Sequence, residues 1–100
     1  MSAVPFEQAV TLIERYKEAY RRRYKSEPTF NVVSARYDIA AIIREITYPE
    51  TAKLFSYFFR TQGSHDLSRF IYGYHDLYRM MKLQEDDREY RKKLRTKKLG

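Results

Sequence analysis

A chain of 100 residues with 43% apolar and 33% charged side chains suits one globular domain and leaves little surplus for a deep catalytic cavity. With no cysteine it forms neither a disulfide framework nor a thiolate metal site, and no stretch approaches the roughly twenty apolar residues that a membrane span needs. A net charge of +7 and ten tyrosines favour a phosphate-bearing partner, because basic charge attracts polyanions over long range and tyrosine supplies stacking rings and phosphate-binding hydroxyls.

Pro5 suits the first turn of a helix running to about Lys25, where its missing N–H costs nothing. Within that helix Phe6, Ala9, Ile13, Tyr16, Tyr20 and Tyr24 recur at spacings of three or four and form one apolar stripe. Pro28 biases Glu27 away from helix, so residues 26–33 read as an extended loop whose Phe30, Val32 and Val33 tuck against the core. Ser34 is the expected N-cap of a second helix, about 35–47, with Ala35, Ile39, Ile42, Ile43 and Ile46 on one side.

Pro49 opens a third helix, capped by Thr47 or Tyr48, with Ala52, Phe55, Phe58 and Phe59 buried and Gly63 as its stop. Ser64 or Asp66 caps a fourth, in which Leu67, Phe70, Ile71, Tyr74, Leu77, Tyr78 and Met81 keep the helical period. Gly73 interrupts that run and predicts a bend or a close helix contact. Past Lys82 the stripe ends: residues 84–87 are acidic after Gln84, and Arg88 to Lys98 carry seven positive residues against one negative. The expected fold is therefore all-α: a small four-helix domain over residues 1–83 and a charged, fraying or mobile basic C-terminal tail over 84–100.

Nothing in the pattern predicts catalysis. His65 and His75 are ten residues apart without a third ligand, and read as a capping and a surface residue. Gly63 and Gly73 are isolated and make no phosphate loop, and Asp38, Glu45, Asp66 and Asp76 are scattered. The expectation is a non-enzyme with no metal, no cofactor and no small-molecule substrate.

The outward faces are richer. Lys53, Tyr57 and Arg60 share one side of the third helix, opposite its phenylalanines; Arg69, Tyr72, Asp76 and Arg79 share one side of the fourth, and Tyr37 and Arg44 repeat the arrangement more weakly on the second. Tyrosine beside arginine or lysine is the chemistry of phosphate contact and base stacking. The end of the first helix, Tyr20-Arg21-Arg22-Arg23-Tyr24-Lys25, is the densest such cluster, and Arg91, Lys92 and Lys93 add to it from the tail. Arg23 points along the azimuth of Tyr16 and Tyr20. Because a buried unpaired guanidinium is very costly, either the stripe emerges there as the rim of a ligand groove, or Arg23 pairs with a carboxylate such as Asp38.

The order of these features resembles a small helical domain of phage DNA-replication proteins of the helicase-loader and replisome-organiser type. The likeness runs over roughly residues 6–82. It is carried by the basic tyrosine-rich run from Tyr16 to Lys25, the loop from Glu27 to Asn31, the helix opening Ala35-Arg36-Tyr37-Asp38-Ile39, the aromatic run from Leu54 to Phe59, and the last helix from Phe70 to Met81. Members of that family often carry tryptophan after the third helix, where this chain has His65-Asp66. The resemblance implies binding to single-stranded or forked DNA and contact with a replicative helicase, in a host cytoplasm. The run from Met1 to Glu7 lacks the basic and apolar stretches of a signal peptide, which agrees with a soluble cytoplasmic chain. The alternative is a small adaptor or inhibitor acting on a host nucleic-acid enzyme without touching DNA. A third reading is a domain that oligomerises through Phe58, Phe59 or Leu83.

Overall fold

Four helices follow one another in the computed structural model, which describes the backbone of residues 4–99 and the side chains of residues 4–94. They are α1 (Val4–Tyr24), α2 (Val32–Ile46), α3 (Tyr48–Thr61) and α4 (Leu67–Leu99), with no strand among the described residues. The all-α fold is the one that the helical periodicity predicts.

Helix α1 buries Ala9, Leu12, Ile13 and Tyr16 along one line and ends where Lys25 takes φ 59°. There the Lys25 N–H still donates to the Arg21 carbonyl at 2.9 Å, a left-handed cap on the last turn. Helix α2 starts earlier than Ser34 would have it. Asn31 is the N-cap, its side-chain oxygen accepting the Ser34 N–H at 3.0 Å. Asparagine caps at least as well as serine, and capping from Asn31 gains the helix most of a turn. Val32 and Val33 thus lie in the first turn and stay exposed, Val33 at 63%, rather than tucking inward. Only Phe30 packs on the core, edge-on to Tyr16.

A single residue, Thr47, joins α2 to α3. Its N–H closes α2 on the Ile43 carbonyl at 2.8 Å, and its hydroxyl caps α3 by accepting the Glu50 N–H. Its carbonyl also accepts the Thr51 hydroxyl at 2.6 Å. To serve both ends Thr47 adopts φ 84° and ψ 161°, a region nearly reserved for glycine. Helix α3 stops at Gln62, whose extended backbone turns its N–H onto the Phe58 carbonyl, while Gly63 takes no positive φ.

Helix α4 starts from the Asp66 carbonyl, which receives the Arg69 and Phe70 N–H groups. It runs without a break through Gly73, and a Cβ placed there would meet nothing within 4 Å, so the close helix contact expected at that position is not made. The backbone over 84–99, read from the sequence as a tail, continues this same helix; Gly100 lies outside the described residues.

Packing is built on aromatic rings. Tyr16 is surrounded by Tyr20, Phe30, Phe55 and Phe59 at centroid distances of 5.7–6.0 Å. Phe55 stacks on Phe70 at 4.0 Å, which locks α3 to α4. Beside that stack Glu50 accepts the Tyr78 hydroxyl at 3.0 Å and pairs with Lys82 and Lys53. Lys82 foremost, with help from Tyr78 and Lys53, holds the Glu50 carboxyl below its usual range.

The Thr47 backbone gives a direct test. Thr47→Gly removes the strain of the glycine-like conformation and costs only a few tenths of a kcal/mol as a cap, so it is expected to stabilise the fold by about 0.5–1 kcal/mol. Thr47→Val keeps the strain, loses the cap and is expected to destabilise by about 1 kcal/mol. Thermal melts followed by far-UV circular dichroism measure both.

Candidate nucleic-acid interface

Helices α1 and α3 meet less closely than α1 meets α2 or α3 meets α4, and a groove of about 720 Å³ opens between them. Small residues keep it open. Along α1, Arg15, Ala19 and Arg23 stand four residues apart; along α3, Ala52, Ser56 and Arg60 do the same. Leu12, Tyr16, Phe55 and Phe59 form an apolar and aromatic floor. Arg15 and Arg23 stand on one wall, Lys53 and Arg60 on the other, and no carboxylate lines the groove.

The cations of the molecule divide into two groups. Arg22 pairs with Glu18 at 2.7 Å, Arg21 with Glu27 at 3.1 Å, Arg79 with Asp76 and Arg91 with Asp87 at 3.2 Å. These are exposed pairs, mostly at helical spacing, and their acids neutralise much of the local field. Among the described residues, Arg15, Arg23 and Arg60 have no carboxylate partner, and of the groove cations only Lys53 does, in Glu50 at 3.3 Å. Arg15, Arg23 and Arg60 thus stand without an acid partner beside an aromatic floor.

Arg23 resolves the choice posed by the sequence. It does not pair with Asp38; its guanidinium donates to the Phe59 carbonyl in the last turn of α3, at 3.1 Å. The negative end of α3 thus holds the cation at the groove wall without cancelling its charge. Behind it lies His65, expected as a capping or surface residue but only 1% exposed. Its ring stacks on Phe59 at 4.7 Å and meets Phe58 edge-on. Its Nδ1 shares a 2.5 Å hydrogen bond with the Tyr24 hydroxyl, and its carbonyl accepts the Tyr16 hydroxyl at 2.6 Å. A histidine four residues past the last turn of α3 is folded back under it because two tyrosines of α1 need polar partners there. Burial, and then the neighbouring charge of Arg23, lower the His65 pKa below 6.5, with the carbonyls of Gln62, Phe59 and Phe58 offsetting part of that.

The residues singled out from the sequence are distributed unevenly. Arg23, Lys53 and Arg60 come together in the groove. Tyr57 does not belong to its exposed face: it is 1% exposed, with Arg60 above its ring at 5.5 Å. On the helical wheel Tyr57 lies only about 40° from Lys53. Helix α4 covers that edge, because α3 packs against three neighbours and buries a wider arc than its phenylalanines mark. Tyr20 and Tyr24 pair with each other at 4.4 Å beside the groove's end, and Arg21, Arg22 and Lys25 lie outside its lining.

Lys53, Ser56 and Arg60 also border a cleft against α4 that includes Arg88, and this cleft continues along α4 to Arg91 and Lys92. Cations therefore run from α1 over α3 to α4, with Glu85 and Asp87 among them on the α4 side. Arg69, Arg79 and Lys93 are exposed on α4 but line neither cleft, and Tyr72 borders a separate hollow between α2 and α4. Arg15, which the sequence reading passed over, is a groove cation of equal standing. The signal for it was the cation–small–cation line Arg15, Ala19, Arg23.

Comparison with protein-family models, curated proteins and solved structures finds no match for this chain.

The buried histidine predicts a pH dependence of stability. Its pKa is lowered in the folded protein, so the unfolded chain binds the proton first as pH falls below 6.5. The contribution of neutral His65 is present in full above pH 6.5 and is lost as pH falls from there through the lowered value of the folded state. Glu50, also lowered, adds its own loss only below 4.5. His65→Gln is expected to flatten the upper window and leave the lower one, as read by Tm against pH.

Proposed function

We propose that this chain is a nucleic-acid-binding protein of the DNA-replication accessory type, which holds single-stranded or forked DNA along the groove between α1 and α3 and contacts a replicative helicase. The proposal is one of binding, not of catalysis. The observation that carries it is a groove whose cations, Arg15, Arg23, Lys53 and Arg60, face an aromatic floor with no acid among them.

Four cations in one open groove attract phosphates and release their counterions on contact, which supplies sequence-independent affinity. The exposed part of Phe59 gives a base a ring face to meet, and only unpaired bases can leave their stack to reach it. Arg23 is held in place by the Phe59 carbonyl before any ligand arrives, so little side-chain entropy remains to be lost there. Through the cleft that Lys53 and Arg60 share with Arg88, a strand can pass from α1 onto α4. The choice of DNA and the helicase contact draw on the resemblance described above, and the groove chemistry is compatible with both.

Fluorescence anisotropy with single-stranded, forked and duplex oligonucleotides tests the reading. Single-stranded and forked DNA are expected to bind more tightly than duplex, with a slope of log affinity against log salt of about −3 for four phosphate contacts. Joint Arg15→Glu and Arg60→Glu substitution is expected to weaken binding at least about tenfold, with the helical signal intact. Arg22→Glu is expected to change it by only about twofold, since Arg22 lies outside the groove lining and is paired with Glu18. No binding to any of the three at low salt would end the proposal.

A further inference from the structure

Helix α4 is about 50 Å long at 1.5 Å per residue, and it outruns its own core. Met81 is its last buried residue among those whose side chains are described. On another side the helix keeps an apolar line facing solvent: Met80 is 48% exposed, Leu83 62%, Tyr90 63% and Leu94 43%. With Asp87 between them these residues alternate spacings of three and four, the seam of a two-stranded coiled coil. At 100° per residue the seam lies roughly 120° from the core line of Phe70, Leu77 and Met81, so no other part of the domain meets it. A helical extension of this length gains little stability from propensity alone, and burying such a seam is the usual source of the rest.

We propose that this seam pairs with the same seam of a second copy of the chain, antiparallel, to form a homodimer. The charge order along α4 sets both the partner and the direction. Glu85, Asp86, Asp87 and Glu89 come first, and Arg91, Lys92 and Lys93 follow. Such a helix complements itself when the second copy runs the other way. The register that sets Leu83 opposite Leu94 of the second copy also sets Asp87 opposite its Tyr90, whose hydroxyl can donate to the carboxylate, and Met80 opposite its Lys97 at the end of the seam. On the flank the same register brings Asp86 to Lys93 of the second copy, twice by symmetry. A parallel pair in register would instead set the acidic stretches of the two copies side by side, and the basic stretches likewise, with Asp87 facing Asp87 at the seam. Arg88 lies roughly 120° round the helix from the seam, so the cleft that it shares with Lys53 and Arg60 stays clear of the dimer contact.

The absence of native cysteine makes the test clean. Sedimentation equilibrium on the full chain, freed of nucleic acid by nuclease, is expected to give a mass rising from 12.2 kDa toward twice that value with concentration. Leu83→Glu is expected to weaken association at least about tenfold while leaving the melting curve of the monomer unchanged, because Leu83 lies outside the core. For direction, Leu83→Cys protein mixed with Leu94→Cys protein is expected to form the mixed disulfide faster than either variant crosslinks to itself. A monomer at every concentration, or undiminished association of Leu83→Glu, would overturn the proposal. Faster self-crosslinking of Leu83→Cys would overturn its antiparallel arrangement.

Discussion

A phenol buried where α1, α3 and the loop ahead of α4 converge costs less to bury when its hydroxyl finds an acceptor, which the equally buried hydroxyl of Tyr57 does not find among the described residues. Tyr16 meets that condition through the His65 carbonyl, and much of the architecture follows from the bond. Holding that carbonyl over α1 fixes the path of residues 62–66, which places the imidazole under the last turn of α3. The imidazole in turn stacks on Phe59, so the ring is supported from behind while its other parts border the groove. The Phe59 carbonyl then receives Arg23. One buried hydroxyl thus sets, in three short steps, the position of a guanidinium on the molecular surface.

The distribution of charge shows why composition is a poor guide to a binding surface. A net charge of +7 says that cations exceed acids, not where. The densest run, Arg21-Arg22-Arg23, divides among three fates: two residues pair with Glu27 and Glu18, and the third with a backbone carbonyl. A carboxylate four residues away cancels a charge as well as solvent would screen it. A carbonyl at a helix end orients the cation and leaves its charge available. In the groove the field is carried by scattered residues that the topology gathers, Arg15 and Arg23 from α1 and Arg60 from α3, with Lys53 shared with Glu50.

This gathering also marks the boundary of what the sequence made legible. Helical stripes, the break at Pro28 and the place of Pro49 in the first turn of α3 are local properties, readable from neighbouring residues, whereas Thr47 and Tyr48 are both open as its cap until the structure selects Thr47. The start of α2 was misread because Asn31 and Ser34 are both competent caps, and the choice between them lies in packing of the turn, not in residue type. Tyr57 and His65 were misplaced for a different reason. Each is amphipathic, and its burial depends on which helix arrives beside it, a fact of tertiary structure. Of the groove, one wall was legible as a basic face on α3, while the opposing wall needed the pairing of α1 with α3.

The single-residue joint at Thr47 has a mechanical meaning as well as a conformational one. With its N–H, hydroxyl and carbonyl all engaged, it leaves α2 and α3 no slack, and the two helices move as one bent lever. Helix α1 is tied to that lever through the longer connection from Lys25 to Asn31. Helix α1 also packs on α2 more closely than on α3, so widening the groove for a bulkier ligand parts α1 from α3 and loads the bonds that span the two, Tyr16 to the His65 carbonyl and Arg23 to the Phe59 carbonyl.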